Sequence, residues 1–460
     1  MTLSERLAEA ALAWRYEDLP EDVAQAVRWH LLDALGVGLA AASLPAGGRL
    51  RSALGEEAGP GPATVLGEGR PAPMAWAALV NGALIHSLEY DDTHTGSIVH
   101  ASSVLAASAL AAAEAAGASG RELVAALAVG WEAIVRLGLA APGAFQAQGF
   151  QTTAVCGPPA AALVVGRLLG LGREELVAAV GIAVSQAGGV FEYLSDGSDV
   201  KALHPGWAAH AGAAAALLAR AGMRGPRTAL EGRFGLYRTH AGTAPDASVF
   251  DDLGRIWHVR DAAFKAYPCC HYSHAFLDAA LALRREGVRA EDVVRVECTV
   301  PAEEAPVICE PWERKQNPRD GYDAKFSLPY AIAAAWVDGR ADVDTFSGAA
   351  RPELLSFASR VTYTPASGMG FPDRFPARLA FVLADGTRHE RYVDNPGGTP
   401  SHPWGEEDVV RKWRANAGRL LAPDAVTAVE GRILRLEAEP DVRTVGGLLR
   451  AGVAIGEGRG

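Results

Sequence analysis

From residue 20 to about 235 this chain carries helical signals almost without a break, which commits the larger part of the molecule to helix packed on helix. Pro20 followed by Glu21 and Asp22 opens the first long helix, with a fixed φ and two acids at the positive end of the dipole. Apolar positions then continue through HLLDALGVGLAAA. Ser119 and Glu122 form a capping-box pattern ahead of LVAALAVGWEAIVRL. Further helices are expected near 74–88, 101–117, 158–170, 173–187 and 207–221. Abundant Ala makes these helices apolar nearly all round, which predicts that several are interior. The Gly and other small residues inside them predict close helix contacts.

The texture changes after about residue 268. VVRVECTV at 293–300 alternates apolar and polar positions, as a strand with one buried face does. ARLAFVLADGTRHERYV places Asp385-Gly386 between two strand-like runs, a hairpin signal. A helical stretch at 325–337 lies between these regions. This predicts an α+β domain over 268–404, with NPGGTPSHPWG at 395–405 as its exit loop. Beyond it, EEDVVRKWRANAGRLL and AVTAVEGRILRLE are helical again. The expected organisation is therefore mostly α, with an all-helical domain built from both chain ends (1–267 plus 405–460) and the smaller α+β domain inserted.

At 460 residues, with 49% hydrophobic and 21% charged side chains, the composition is that of a globular protein with a large core. Net charge is −11 and no basic run is present, which argues against nucleic-acid and anionic-membrane partners. An anionic small molecule remains compatible if positive groups converge locally. The opening MTLSERLAEAALAWR lacks the pattern of a secretory signal, and the Ala-rich runs are broken before membrane-spanning length. Five Cys, an odd number, read as reduced thiols, so a cytoplasmic protein is expected.

Of 12 histidines, half fall in three short segments. EYDDTHTGSIVHASS holds His94 and His100, SDGSDVKALHPGWAAH holds His204 and His210, and AYPCCHYSHAFLDA holds His271 and His274. Imidazole titrates near neutral pH, so such clustering points to proton transfer or metal binding. Lysine usage narrows this. Among 43 basic residues only Lys201, Lys265, Lys315, Lys325 and Lys412 are Lys. Where Arg serves as the ordinary cation, a retained Lys suggests a compact, titratable ammonium, a role Arg cannot fill. Lys201 and Lys265 lie in or beside histidine segments; the alternative is that they are ordinary solvated lysines.

The window 86–103 adds His86, Glu89, Asp91, Asp92 and Thr93 on a loop expected between two apolar helices, where catalytic groups concentrate. It also reads as a capped, solvated loop, or as a divalent-metal site if its acids and imidazoles converge. His204-Pro205 is expected just ahead of a helix starting near Trp207, where free backbone N–H groups bind carboxylate and Lys201 adds charge. Ser198 and Lys201 spell S-x-x-K, a weak match to penicillin-recognising serine enzymes without the companion K-T-G. Cys269, Cys270, His271 and His274 invite a zinc reading, but adjacent cysteines seldom chelate one ion and no C-x-x-C pair exists. A proton-transfer role for His274, opening a helix, fits better. The G-x-G pieces at Gly36–Gly38 and Gly67–Gly69 lack the setting of a dinucleotide site.

Taken in order, NGALIHSLEYDDTH, H-A-S at 100–102, GFQTTAVCG, DGSDVKALHPGWAAHAG, LEGRFG, YPCCHYSH, AKFSLPYAIA and DNPGGTPSHP resemble the MmgE/PrpD family over nearly the whole chain. That family contains 2-methylcitrate dehydratase, cis-aconitate decarboxylase and iminodisuccinate epimerase. The resemblance implies a large helical domain from both chain ends with an inserted α+β domain, a homodimer, and no metal or redox cofactor. It places the active-site positions at Thr93, His100, Lys201, His274 and Tyr330, with Glu89 where the family often has Asp. The decarboxylase-like members carry His in a GFH motif where this chain has Gln151, and Gln exchanges no proton.

The chemistry implied is proton transfer at a carbon next to a carboxylate, which demands a base and stabilisation of an enolate-like dianion. The expected catalytic residues are His100, Lys201, His274, Tyr330, Thr93 and Glu89, with substrate held by His204, Asp92, Gln151, His94 and Lys265 and no metal. Lys201 and His204 hold carboxylate, His100 or His274 is the base, and the other of the two, or Tyr330, protonates a leaving hydroxyl. Glu89, Asp91 and Asp92 orient the imidazoles. The expected function is a cofactor-independent hydro-lyase acting on a small di- or tricarboxylate such as 2-methylcitrate. The alternatives are an epimerase, isomerase or decarboxylase using the same groups and, more remotely, a non-catalytic helical scaffold or an S-x-x-K hydrolase. All of these require distant stretches of chain to converge on one cavity.

Overall fold

Ser119 and Glu122 do close a reciprocal capping box, and the helix Gly120–Leu139 begins from it. Pro20 caps Glu21–Ala42, which carries Glu21 and Asp22 in its first turn. Both starts satisfy backbone donors, or complement the dipole, before tertiary packing contributes. A computed structural model describes residues 1–196 and 198–453, divided into two units. The first comprises Met1–Ser87, Asp91–Ala262 and the described part of Gly405–Gly460; the second comprises Leu88–Tyr90 and Ala263–Trp404.

The first unit is helical. Its interior helices follow from composition: in Ala101–Ala116 every residue from Ala101 to Glu114 is buried, since an Ala-rich helix has no polar face to keep wet. Val200–Arg220 packs against Met74–Ser87, Ala101–Ala116 and Thr152–Leu168, and Glu406–Ala417 packs on Glu21–Ala42. One close approach between these helices is a contact of two glycines. A Cβ on Gly206 would lie 2.2 Å from the Leu79 carbonyl oxygen, and one on Gly82 would lie 2.7 Å from the Gly206 Cα. Gly212 and Gly157 repeat the device along the same helix, meeting Ala161 and Ala208. Among the described residues no single helix is long and apolar enough to cross a membrane.

Two boundaries differ from the sequence reading. The helix expected from Trp207 starts at Val200, with Pro205 inside it. The one expected from 158 starts at Thr152, with Pro158 and Pro159 inside. Proline lacks an N–H and crowds the carbonyl four residues back, so each of these prolines forfeits one bond inside its helix, and both helices continue past them with neighbouring helices packed on them. The S-x-x-K reading loses its geometry here, because Ser198 lies ahead of the helix rather than one turn from Lys201 on it.

The second unit carries a four-stranded mixed sheet, order β2-β1-β3-β4: β1 Val293–Pro301, β2 Val361–Ala366, β3 Ala377–Leu383 and β4 Arg388–Val393. β1 and β2 are parallel; β1–β3 and β3–β4 are antiparallel, the last joined through Asp385-Gly386 with Gly386 at φ 87°. His274–Arg285 packs on β3 and β4, and Leu328–Asp338 packs on His274–Arg285. Trp336 stacks on Phe381 at 4.1 Å between ring centres. β2 was not expected from the sequence. Pro365 breaks its pattern, and a strand containing Pro is tolerated because β2 lies at the sheet edge.

Two stability predictions follow from packing. Gly206→Ala forces a methyl against the Leu79 carbonyl, so a loss of about 1–3 kcal/mol is expected in urea unfolding. Glu304 is fully buried, its carboxylate has no hydrogen-bond partner among the described residues, and burial pushes its pKa to about 9. Its folded-state value lies above the ordinary one, so it favours folding fully only below the ordinary carboxylate range and the protein loses stability as pH rises toward 9. Glu304→Gln should therefore raise the unfolding midpoint more at pH 8 than at pH 4. An equal gain at both pH values would show that the carboxyl is solvated.

Candidate active site

In the first unit, five elements deliver polar side chains to one buried group. Met74–Ser87 presents His86 from its last turn, one turn beyond Gly82. The connection Asp91–His100 supplies Asp91, Thr93 and His100, the last as N-cap of Ala101–Ala116. Gln151 is the N-cap of Thr152–Leu168, and Lys201 and His204 lie in the first turns of Val200–Arg220. Since that helix starts at Val200, the free N–H groups of its first turn surround Lys201 rather than His204. The dipole and the ammonium therefore reinforce each other at Lys201.

His204, Gln151, His86 and Asp91 form one continuous chain of hydrogen bonds, and His100 stands beside its end. His204 Nδ1 is 2.7 Å from Gln151 Oε1, and Gln151 Nε2 is 3.2 Å from His86 Nε2. His86 Nδ1 is 2.8 Å from Asp91 Oδ2, with both residues fully buried. His100 Nδ1 lies 3.8 Å from the same oxygen and 2.9 Å from the Asp92 carbonyl, with Thr93 Oγ1 at 3.2 Å. A carbonyl only accepts, so His100 carries its proton on Nδ1 and, when neutral, its lone pair on Nε2. The His100 backbone N–H donates to Thr153 Oγ1 at 2.9 Å, which holds the ring at the helix start.

The neighbouring acid points elsewhere. Asp92 accepts from His30 Nδ1 at 2.9 Å and from the Ser102 N–H at 3.1 Å. Both its oxygens meet protein donors, so it anchors the loop that was expected from the sequence to hold substrate. Beside it, Lys412 pairs with Asp33 at 2.8 Å, and burial pushes the Asp33 carboxyl up and the Lys412 ammonium down. His94 points elsewhere too. It turns to Ser97 (2.9 Å) and to the ring of His258 (5.6 Å), away from the chain just described. Burial, and secondarily the charge on His258, lower its pKa to about 4. His210 likewise bonds the Ala75 carbonyl and stacks on Trp207.

The second unit holds the other expected residues. Glu89 adopts φ 56°, in the left-handed region that a non-glycine residue seldom occupies. Lys265 Nζ donates to the Glu89 carbonyl at 2.9 Å and lies 3.9 Å from its carboxylate, so a buried ion pair supports that backbone. His274 is the first residue of His274–Arg285; its Nε2 faces the Cys269 carbonyl at 3.3 Å, and its ring contacts Tyr267 and His271. The proton on Nε2 leaves the lone pair of the neutral ring on Nδ1. Tyr330 is fully buried, and its hydroxyl accepts from the Arg351 N–H at 3.3 Å. Cys269 is buried and its thiol is pushed well up by burial, which opposes the thiolate a zinc site needs.

Charge in the first unit is controlled by burial. His204 is held at a pKa of about 4, first by burial and then by the positive fields of His86 and Lys201, so it is neutral at pH 7. His86, Asp91 and His100 could offer a cation one atom each. The Nδ1 atoms that face Asp91 are both proton donors in this arrangement, and an ion there would have to displace both protons. A different objection meets His94, His258 and Asp261: the Ser97 N–H already donates to the lone pair of His94 Nδ1.

Of the sequence-expected residues, Thr93, His100, Gln151, Lys201 and His204 share one neighbourhood in the first unit. Glu89, Lys265, His274 and Tyr330 lie in the second. Asp91, expected to orient an imidazole, bonds His86; the structure adds His86 to the group and, through Asp92, His30. His86 stands in the quoted window, but its place in the chain depends on the Gly82–Gly206 approach. His30 sits in an ordinary apolar helix, with no local signal at all.

The model for the MmgE/PrpD N-terminal domain matches residues 5–247, and that for the C-terminal domain matches 267–436. The cis-aconitate decarboxylase-like protein oryM of Aspergillus oryzae is 28% identical over 449 residues, covering 92% of each chain. A cis-aconitate decarboxylase of Aspergillus terreus is 27% identical over 451 residues, 93% of this chain and 91% of its own. The human cis-aconitate decarboxylase is 27% identical over 396 residues, 82% and 80%. With two family models covering most of its length in the order the motifs dictate, the chain belongs to the MmgE/PrpD family.

Proposed function

We propose that this protein is a lyase of a small di- or tricarboxylate that works by moving a proton at the carbon next to a carboxylate. The observation that carries the reading is the buried array His204–Gln151–His86–Asp91–His100 with Lys201 beside it. An imidazole held neutral and a second with its lone pair on Nε2 stand near an ammonium, as enolate chemistry requires. His100 suits the base: its Nδ1–H is held by the Asp92 carbonyl, so Nε2 is the basic atom, and protonation there is stabilised by Asp91. Lys201, with the helix N-terminus around it, neutralises the carboxylate and the charge that develops on it.

In the hydro-lyase reading, the C–H electron pair forms the new double bond, the C–O bond breaks, and hydroxide leaves as water after taking a proton. A decarboxylase is the second reading, favoured by relatives named cis-aconitate decarboxylase. There the C–C bond to the carboxylate breaks, its electrons pass to the carbon framework, carbon dioxide leaves and a proton is added. Gln151 in place of the expected His argues for the first.

The test is full-length protein, with chelator present, incubated with 2-methylcitrate, citrate and cis-aconitate. New ultraviolet absorbance from the hydroxy acids supports dehydration, and carbon dioxide from cis-aconitate supports the second reading. Solvent deuterium incorporation with neither indicates an epimerase. His100→Ala and Lys201→Ala should each lower kcat/KM by about 10²-fold or more while the fold persists. No turnover, gas or exchange across the panel defeats the proposal.

A further inference from the structure

The hydrogen-bond chain of the first unit has a direction. We propose that Gln151 is a positioning residue that fixes His204 with its proton on Nδ1, so that the ring keeps an acceptor at Nε2. The argument starts from Asp91, which is fully buried. Its Oδ2 faces the Nδ1 atoms of His86 at 2.8 Å and His100 at 3.8 Å, and the positive field of Lys412 reaches it. The His100 Nδ1–H, fixed by the Asp92 carbonyl, and an ammonium favour the carboxylate, which only accepts. His86 must then donate from Nδ1, and as a neutral ring it accepts at Nε2.

The amide facing that nitrogen must donate, so Gln151 turns its NH₂ to His86 and its oxygen to His204. An amide oxygen cannot donate, so His204 donates from Nδ1 and keeps the lone pair on Nε2. Every link follows from the one before it. Burial, with a neighbouring cation, keeps His204 neutral and the scheme intact at pH 7. Packing leaves the ring little freedom: a Cβ on Gly189 would lie 3.2 Å from His204 Nδ1, and Tyr193 meets the ring edge-on at 5.8 Å. Free histidine in water prefers the opposite tautomer, with the proton on Nε2, so the preference here is imposed.

A histidine at position 151 could make one of these two bonds as donor and the other as acceptor, in either direction, and it would titrate. Glutamine links the same partners, holds one direction and never changes charge. The consequence for turnover rests on the lyase reading; the tautomer does not.

The experiment is nitrogen-15 NMR of the full-length protein labelled only at histidine, at neutral pH, with His204 identified from the spectrum of His204→Asn. His204 should show a protonated Nδ1 and an unprotonated Nε2. Gln151→Met, close in shape but unable to bond either ring, should lose that pattern. Gln151→Glu, which keeps an acceptor for His204, should retain it. A protonated Nε2 on His204 in the unmodified protein, or an unchanged pattern in Gln151→Met, overturns the proposal. On the substrate identified above, Gln151→Met should lower kcat about 10²-fold with KM within about threefold. A changed tautomer with unchanged kcat would remove the positioning role while leaving the lyase reading intact. The expected tautomers with no turnover on any substrate would defeat the lyase reading instead.

Discussion

The contact of Gly82 with Gly206 is the constraint on which the first unit's chemistry depends. Two helices approach until a single added carbon would sit 2.2 Å from a carbonyl oxygen. One turn beyond Gly82 stands His86, and just before Gly206 stands His204. Neither imidazole reaches the other; the gap between them fits one amide, supplied by Gln151 from a third helix start. A wider helix spacing would break at least one of two bonds that are already 2.7 and 3.2 Å long. Close-packed interiors transmit such shifts instead of absorbing them, so small residues far from any reacting atom set the geometry of the polar chain.

Buried charge is managed by pairing within the same unit. Asp91 and Asp92 are adjacent, both buried, and each takes a different imidazole, His86 and His30. Pointing them apart lets two carboxylates share one turn without facing each other. Lys412, paired with Asp33 and carried by Glu406–Ala417, adds positive potential that acts on both. A buried pair of this kind does little for stability by itself, since desolvation offsets the attraction, but removing one partner strands the other. It fixes where the carboxylates can be charged. The C-terminal stretch of the chain thereby takes part in the electrostatics of residues more than three hundred positions earlier.

Much of this was legible in the sequence where local chemistry decides structure. The capping box at Ser119 and Glu122, the Asp385-Gly386 turn and the apolar Ala helices are each set by side chains within a few residues. The helix expected from Trp207 starts at Val200, and Pro205 inside it removes one backbone bond without ending it. β2 was hidden because Pro365 weakens a strand signal that only its edge position makes acceptable. At the site, clustered histidines singled out His100 and His204 but also His94 and His210, which bond Ser97 and the Ala75 carbonyl. Density of a residue type along a chain does not say which way each ring turns. His30 was invisible because its partner, Asp92, lies sixty-two positions away.

The amide at the centre of the chain also limits what the site can do with a proton. An imidazole or a hydroxyl can pass a proton along by taking one on one side and giving one on the other. A carboxamide does this only through a high-energy imidic tautomer, so it transmits the direction of a hydrogen bond but conducts nothing. A proton accepted at His204 Nε2 therefore cannot drain through Gln151 and His86 to Asp91. It must leave by the nitrogen it entered, to the bound molecule or to solvent. His100 is different, since its Nδ1–H faces the Asp92 carbonyl and Asp91 with no amide between. The two imidazoles are thus unequal by construction: one is coupled directly to a buried carboxylate, the other insulated from it. Such asymmetry suits a reaction in which one group takes a proton and a second must hold its own state until a leaving group departs.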